Sequence, residues 1–119
     1  ILASSNLIAQ NPKAVTAFLR ATNRAIVETF ANPAPSIAAM RQRGPILDAK
    51  VELDRWAITA QYVGADDTRS HGLGDIRKLT LEQQVDEVFD TFALKHRPSA
   101  DAIFNSSMLP ARAERDIKA

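Results

Sequence analysis

Apolar residues recur at steps of three and four positions after Asn11-Pro12, and this spacing predicts an amphipathic helix. Asn11 is a favourable N-cap, and Pro12 suits the first helical position, where its missing N–H costs nothing. The helix should end near Ala31, because Asn32 precedes Pro33 and is disfavoured in the helical conformation. The predicted apolar face comprises Val15, Phe18, Leu19, Ala25, Ile26 and Phe30, and the predicted polar face comprises Lys13, Arg20, Asn23, Arg24 and Glu28.

Two shorter helices are predicted next. One should run from residue 35 or 36 to residue 43, since Gly44-Pro45 stops it. The other should begin after Asp48, a favourable N-cap, and end at Gly64. Their predicted buried residues are Ile37 and Met40 in the former and Leu53, Trp56, Ala57, Ala60 and Val63 in the latter.

A fourth helix is predicted over residues 80–94. Thr80 and Gln83 have the spacing of a capping box, in which each side chain bonds an otherwise unpaired backbone N–H. Cationic side chains at residues 95–97 suit a helix C-terminus, and Pro98 prevents continuation. A short helical turn over residues 99–104 should follow. The predicted buried residues of the fourth helix are Leu81, Val85, Val88, Phe89 and Phe92.

The remaining segments carry few helix signals. Residues 64–79 contain three of the four glycines and predict the longest irregular loop. Residues 1–10 could form a strand end or linker, and the charged tail at residues 111–119 should fray. No segment alternates convincingly between apolar and polar residues. We therefore expect a mostly α protein of four or five helices, with residues 1–119 forming a single helical domain or fragment.

Composition narrows the possible functions. A chain of 119 residues is long enough for one ordinary domain, and 45% hydrophobic with 24% charged residues is typical of a globular chain. The net charge of +1 gives no reason to expect a nucleic-acid partner. The absence of cysteine excludes disulfides and thiol catalysis. The first residues do not have the pattern of a signal peptide, and we expect a fragment or a processed product.

The side chains that could take part in catalysis or metal binding do not form a recognisable catalytic set. Asp66, Asp67, His71 and Asp75 lie within ten positions, but their spacing is not that of a calcium loop, and a solvated polar loop is the better interpretation. His96 has no serine motif around it and fits a helix cap. We expect no catalysis, no cofactor and no metal site.

The order of these signals resembles the C-terminal helical part of periplasmic solute-binding proteins of ABC importers, of the nitrate, sulfonate, taurine and thiamine-pyrimidine type. In that family a helix of pattern NP..V..FL.A precedes a proline-started helix and a third helix. A glycine-rich loop ending in arginine then leads into an amphipathic helix and a closing Leu-Pro. The matching segments here are residues 11–22, 32–35, 51–63, 72–77, 80–94 and 104–110.

The resemblance implies a fold and a function. The fold would be the helical C-terminal portion of a two-lobed α/β periplasmic-binding-protein-like structure, and the function would be non-catalytic solute binding for an ABC permease in the periplasm. The small-molecule ligand would bind chiefly to upstream lobes. Trp56, as an aromatic platform, and Arg77, as an anion partner, are the candidate ligand contacts in this chain. For Trp56, core packing is the competing interpretation.

Two other functions stay open. The chain could be an independent all-helical module that binds a protein partner through an apolar groove. It could also be part of a thiamine-pyrimidine-synthesising enzyme of the same lineage, whose active-site residues would lie upstream.

Helices that evolved to cover a sheet keep apolar faces that need burial when the sheet is absent. Leaving one leucine-sized side chain in water costs about 1.5–3 kcal/mol. Folded alone, the chain should therefore form homo-oligomers or swap elements, hiding Val15, Phe18, Phe89 and Phe92.

Overall fold

The computed structural model describes residues 1–117, which form helices joined by turns, with no strand in that range. The mostly α prediction is confirmed, although the chain is divided into more and shorter helices than expected. The helices are α1 (Ser5–Gln10), α2 (Pro12–Ala31), α3 (Pro33–Arg43), α4 (Ala49–Val63), α5 (Asp66–His71), α6 (Lys78–Thr91) and α7 (Ala100–Ile103). Two 3₁₀ helices follow, at Ser106–Met108 and Arg112–Arg115.

Side-chain caps set the boundaries of the first long helices. Asn11 Oδ1 accepts a hydrogen bond from the Ala14 N–H at 3.3 Å, and α2 begins and ends where the sequence predicts. Asp48 Oδ1 accepts from the N–H groups of residues 50 and 51 at 2.9 and 3.0 Å, which confirms the predicted start of α4. Asn32 ends α2 and also caps α3. As a result, α3 begins two or three residues earlier than predicted, with Pro33 in its first turn.

Helix α6 differs from its prediction at both ends. It begins at Lys78, so Thr80 lies inside its first turn and the predicted capping box does not form. It ends at Thr91, and the following Ala93 has a positive φ of 45°. Arg97 therefore lies beyond the helix, where it forms an ion pair with Asp86 instead of capping the C-terminus. A hydrogen bond from Arg97 lowers the pKa of the Asp86 carboxyl.

Three segments predicted to be irregular have defined structure. Residues 1–10 contain α1, which Ser4 caps, so neither a strand end nor an extended linker forms there. Within the loop predicted at 64–79, α5 forms with acidic residues in its first turn and basic residues in its last, the arrangement that the helix dipole favours. Part of the tail that is predicted to fray has regular structure. It contains the second 3₁₀ helix, whose Glu114 pairs with Arg20 of α2 at 2.8 Å. Residues 118 and 119 of the predicted tail lie outside the described part.

The core is small. Its buried apolar residues are Ile37, Leu73, Val85, Ala100 and Ile117, and the described residues include no large side chain that is fully buried. Ile37 and Val85 confirm their predicted burial. Phe18 and Phe92, which are predicted to be buried, are instead 62% and 69% exposed. The other exposed members of the predicted apolar faces are Ala25, Met40, Leu53, Ala57 and Val88.

The molecule is more open than a compact domain of its size. Its accessible surface is 8856 Å², whereas a folded monomer of 13.0 kDa exposes about 6,300 Å². Its radius of gyration is 16.9 Å, against about 13.5 Å for a compact chain of this length. The apolar faces of the helices therefore do not pack fully against one another. The accessible surface exceeds that of a compact monomer of the same mass by about 2,500 Å², which we call the surplus.

Candidate functional site

Arg115 joins the C-terminal 3₁₀ helix to the loop after α5. Its guanidinium donates to the Pro110 carbonyl at 2.9 Å and to the Leu73 carbonyl at 3.0 Å, with longer contacts of 3.4 Å to the His71 carbonyl and the Asp75 carboxylate. The Leu73 N–H donates back to the Arg115 carbonyl at 3.0 Å. We call these five residues the Arg115 junction. Because the Arg115 side chain is almost fully buried, these oxygens take the place of water as hydrogen-bond acceptors around its charge.

Gly72 lies where the Arg115 junction leaves the least space for a side chain. Its φ of 88° and ψ of 156° lie in a region that residues other than glycine essentially do not adopt. A Cβ there would also lie 3.0 Å from Arg112 Cδ and 3.1 Å from Arg115 Nη1. The glycine-rich loop after α5 therefore serves to bring backbone carbonyls up to Arg115. The sequence does not signal this role, because Arg115 follows the glycines by more than forty positions.

Trp56, the first predicted ligand contact, lies half-buried on α4. Its ring meets Phe30 of α2 edge to face, with centroids 5.2 Å apart and an interplanar angle of 71°. This contact is ordinary aromatic packing. The indole also forms part of the wall of an open groove of about 480 Å³ between α2, α3 and α4, in which Arg43 is the cationic side chain.

Arg77, the second predicted contact, is already paired. Its Nε lies 2.7 Å from Asp67 Oδ1, and more than half of its side chain is exposed. An anionic ligand would have to displace this carboxylate. Arg77 does not line the groove that Trp56 lines, so the structure does not bring the two predicted contacts together in one described cavity.

The acidic residues around α5 do not converge. Asp67 forms an ion pair with Arg77, and its Oδ1 lies 3.6 Å from His71 Nδ1. Asp75 faces Arg115. Among residues 1–117, the structure contains no group of three or more His, Asp or Glu side chains that could hold a metal ion.

A cleft of about 290 Å³ lies beside α2, and sequence reasoning did not anticipate it. We call it the Asn23 cleft, because Asn23 contributes an almost fully buried polar side chain to its wall. Asn23 is predicted on the polar face of its helix, and this prediction is wrong, because the residue is almost fully buried. Asn23 follows Leu19 by four positions and precedes Ile26 by three, so helical spacing does put it on the apolar side. The residues that line the cleft are Ile1, Leu2, Ala3, Ile8, Val15, Leu19, Thr22, Asn23, Ile26, Leu73, Gly74, Ile103, Phe104, Asn105, Met108 and Leu109.

Comparisons with known proteins do not assign the chain to a family. No protein-family model, no curated protein and no solved structure matches it. Within residues 1–117, none of the helices combines the length and the apolar character needed to cross a membrane.

Proposed function

We propose that these helices are the C-terminal helical part of a two-lobed solute-binding protein that serves an ABC importer. In this function the chain carries out no catalysis. It covers one lobe of the receptor in the periplasm, while upstream lobes bind the small molecule and the closed receptor docks on the permease. The proposal starts from the ordered set of sequence signals from Asn11 to Pro110 and from the way in which the helices expose their apolar faces.

The observation that carries the proposal is the surplus of about 2,500 Å² of accessible surface. A standard protein–protein interface buries about 800 Å² per partner, and obligate interfaces bury up to about 2,500 Å² per partner. The surplus, which includes polar as well as apolar surface, is of the same order as the area that each partner buries in an obligate interface. Large apolar side chains on separate helices contribute to it, including Phe18 on α2, Ile58 on α4 and Leu79 on α6. Helices that coat a larger body have this property, because their inner faces are completed only by that body.

The candidate ligand contacts differ in how well they fit this function. Trp56 borders an open groove and can offer one face of its ring to a ligand or to a neighbouring lobe. Arg77 is exposed but pairs with Asp67, so it would contact an anion only after that ion pair opens. Trp56 is therefore the better residue to test.

An independent interaction module is the second candidate function, and one observation favours it. A groove of about 390 Å³ runs between the first residues, α1 and α2, and apolar residues such as Leu7, Val15 and Phe18 line it. An amphipathic partner helix would bury its apolar face in a groove of this kind. In this function the surplus surface would be covered by a separate protein and not by upstream lobes of the same polypeptide.

The decisive experiment uses the whole gene product that contains these helices. We would read the coding sequence upstream of Ile1, purify the encoded protein, and screen it by thermal shift against nitrate, sulfonates and pyrimidines. An upstream secretory signal and βαβ pattern, together with a rise in melting temperature for one ligand class, would support the importer function. A start codon a few residues before Ile1 would contradict it and favour the interaction module.

A matched pair of variants tests the contribution of this chain to binding. Trp56→Leu should weaken the ligand response if the indole contacts the ligand or the lobe that binds it. Tyr62→Leu on the same helix is the control, because Tyr62 is 78% exposed and lies outside the groove. Equal responses of the two variants would remove Trp56 from the site without bearing on the function of the whole protein.

A further inference from the structure

Arg43, the last residue of α3, is the one arginine within residues 1–117 that has no hydrogen-bond or ion-pair partner in the protein. Each of the other arginines contacts a carboxylate or a backbone carbonyl. Arg41 of the same helix, for example, donates to the Leu47 carbonyl at 3.0 Å. Arg43 is exposed, so a ligand can reach it without displacing a protein partner.

Arg43 lines the open groove between α2, α3 and α4 that Trp56 also lines, and we call it the Trp56 groove. The indole N–H of Trp56 donates to no group within residues 1–117, and its nitrogen is not buried. The groove therefore has two side chains whose N–H groups are free and accessible. Such donors attract oxygen acceptors, and the guanidinium matches the two oxygens of a carboxylate.

The hydroxyl groups of the Trp56 groove have already donated their hydrogens. Thr22 Oγ1 donates to a backbone carbonyl of α2 at 2.9 Å. Thr29 Oγ1 donates to the Ala25 carbonyl at 2.7 Å, so its single hydrogen is not available to Ser36. Ser36 Oγ must then donate to Thr29 Oγ1 across their 2.7 Å contact. These oxygens can accept hydrogen bonds, but they provide no donor that competes with Arg43 for an anion.

The rest of the lining favours a ligand with one negative charge and an apolar body. The described lining contains no carboxylate, and Arg43 is its one charged side chain. A second negative charge on the ligand would find no countercharge there. Ile26, Met40 and Trp56 provide the large apolar surfaces, and Met40 is 46% exposed. The volume of about 480 Å³ lies within the range of small-molecule sites, about 300–1,000 Å³.

We propose that the Trp56 groove binds a small aromatic carboxylate, whose carboxylate pairs with Arg43 and whose ring packs against Trp56. Arg43, and not Arg77, is then the anion partner of Trp56, because Arg77 pairs with Asp67 and lies outside the groove. The site is complete within this chain, so it does not depend on the importer function or on upstream lobes. The apolar contacts hold the ring, and the ion pair with Arg43 selects the carboxylate over a neutral molecule of the same shape.

The probes 2-naphthoate and 2-naphthamide test the proposal, because they share an aromatic body and a planar head group and differ in charge. The 119-residue chain contains a single tryptophan, so the indole N–H of Trp56 gives one assignable signal when the chain is labelled with ¹⁵N. 2-Naphthoate should shift this signal and the backbone amides of Ser36 and Arg43. 2-Naphthamide should bind about fivefold more weakly, the effect of one accessible ion pair, and high salt should reduce the difference. Equal affinities at low salt, shifts that map away from the groove, or no binding of 2-naphthoate would overturn the proposal.

A variant pair isolates the guanidinium. Arg43→Gln removes the charge at an exposed position without breaking a protein contact, so the variant should fold and should bind both probes with equal affinity. Arg41→Gln makes the same change of charge on the same helix, but Arg41 lies outside the groove, about 200° around the helix axis from Arg43. This control should keep the preference for 2-naphthoate. Preserved discrimination in Arg43→Gln, or its loss in Arg41→Gln, would overturn the assignment of Arg43. A negative result concerns the groove alone, whereas the upstream coding sequence decides the importer function.

Discussion

Replacing Arg115 by methionine should remove the connection between the C-terminal 3₁₀ helix and the loop after α5. Methionine retains much of the aliphatic bulk of arginine but donates no hydrogen bond. Arg115 makes hydrogen bonds of normal length to Pro110 and Leu73, at 2.9 and 3.0 Å, whereas the two contacts at 3.4 Å contribute little. A hydrogen bond from a charged donor contributes about 1.5–3 kcal/mol, so losing the two should lower the free energy of unfolding of Arg115→Met by about 3–6 kcal/mol.

Urea unfolding followed by far-UV circular dichroism measures this loss. Arg24→Met is the matched control, because Arg24 pairs with Glu28 at 2.7 Å but both side chains are largely exposed. Exposed ion pairs contribute little, so the control should leave the urea midpoint unchanged. The comparison separates the loss of a buried guanidinium from the general effect of an arginine-to-methionine change.

The refuting result is specific. If Arg115→Met stays within about 0.5 kcal/mol of the unmodified chain, the range of ordinary surface substitutions, the junction does not hold the tail. The tail would then fray, as its charged sequence predicts. The glycine-rich loop would have no structural function in holding the tail.

Three further predictions concern the loop, acid stability and self-association. Gly72→Ala should destabilise the chain by about 1–3 kcal/mol in the same urea assay, since its φ is 88° and a Cβ would meet Arg112. Gly74→Ala should also be destabilising, since the φ of Gly74 is 76°, but it should cost less because the nearest atom to its Cβ would lie 3.5 Å away. The pKa of Asp86 lies below its ordinary value of 3.8, so the ion pair with its arginine partner stabilises the fold above that pH. This contribution is lost as the pH falls through the lowered pKa, and Asp86→Asn should remove that acid-dependent part of the stability to urea. Finally, the isolated chain should give dimers or larger species in light scattering at high concentration, and Phe18→Ser should lower the observed mass. A strictly monomeric chain would contradict the burial argument.

The local features of the helices could be predicted from the sequence because their causes lie within a few residues. An asparagine before a proline, as at Asn11 and Asn32, can cap the helix that follows it. The proline also disfavours the helical conformation of the asparagine, which separates the two helices. The start of α4 after Asp48 and the end of α3 at Gly44 follow from the same short-range chemistry. Thr80 shows where such reasoning fails, because a capping box needs an extended backbone at its first residue. Here the helix begins two residues earlier and takes Thr80 into its first turn.

The candidate sites could not be predicted to the same extent. Trp56 was correctly placed on a partly buried face, but the pairing of Arg77 with Asp67 depends on how α5 meets the segment before α6. Asn23 shows a different limit. Its spacing from Leu19 and Ile26 is that of the apolar face, but its polarity favours the prediction of the polar face. Only the tertiary structure shows that its oxygen is buried without a partner.

The sequence by itself determined that this protein is helical and where most of its helices begin, since caps, prolines and glycines act over one helical turn. The tertiary structure decided that a buried arginine holds the C-terminal segment and that the helices expose their apolar faces. The first outcome depends on groups more than forty residues apart in the chain. The second depends on surfaces that can meet only in the folded molecule. Helical periodicity identifies which face is apolar, but it does not specify what covers that face.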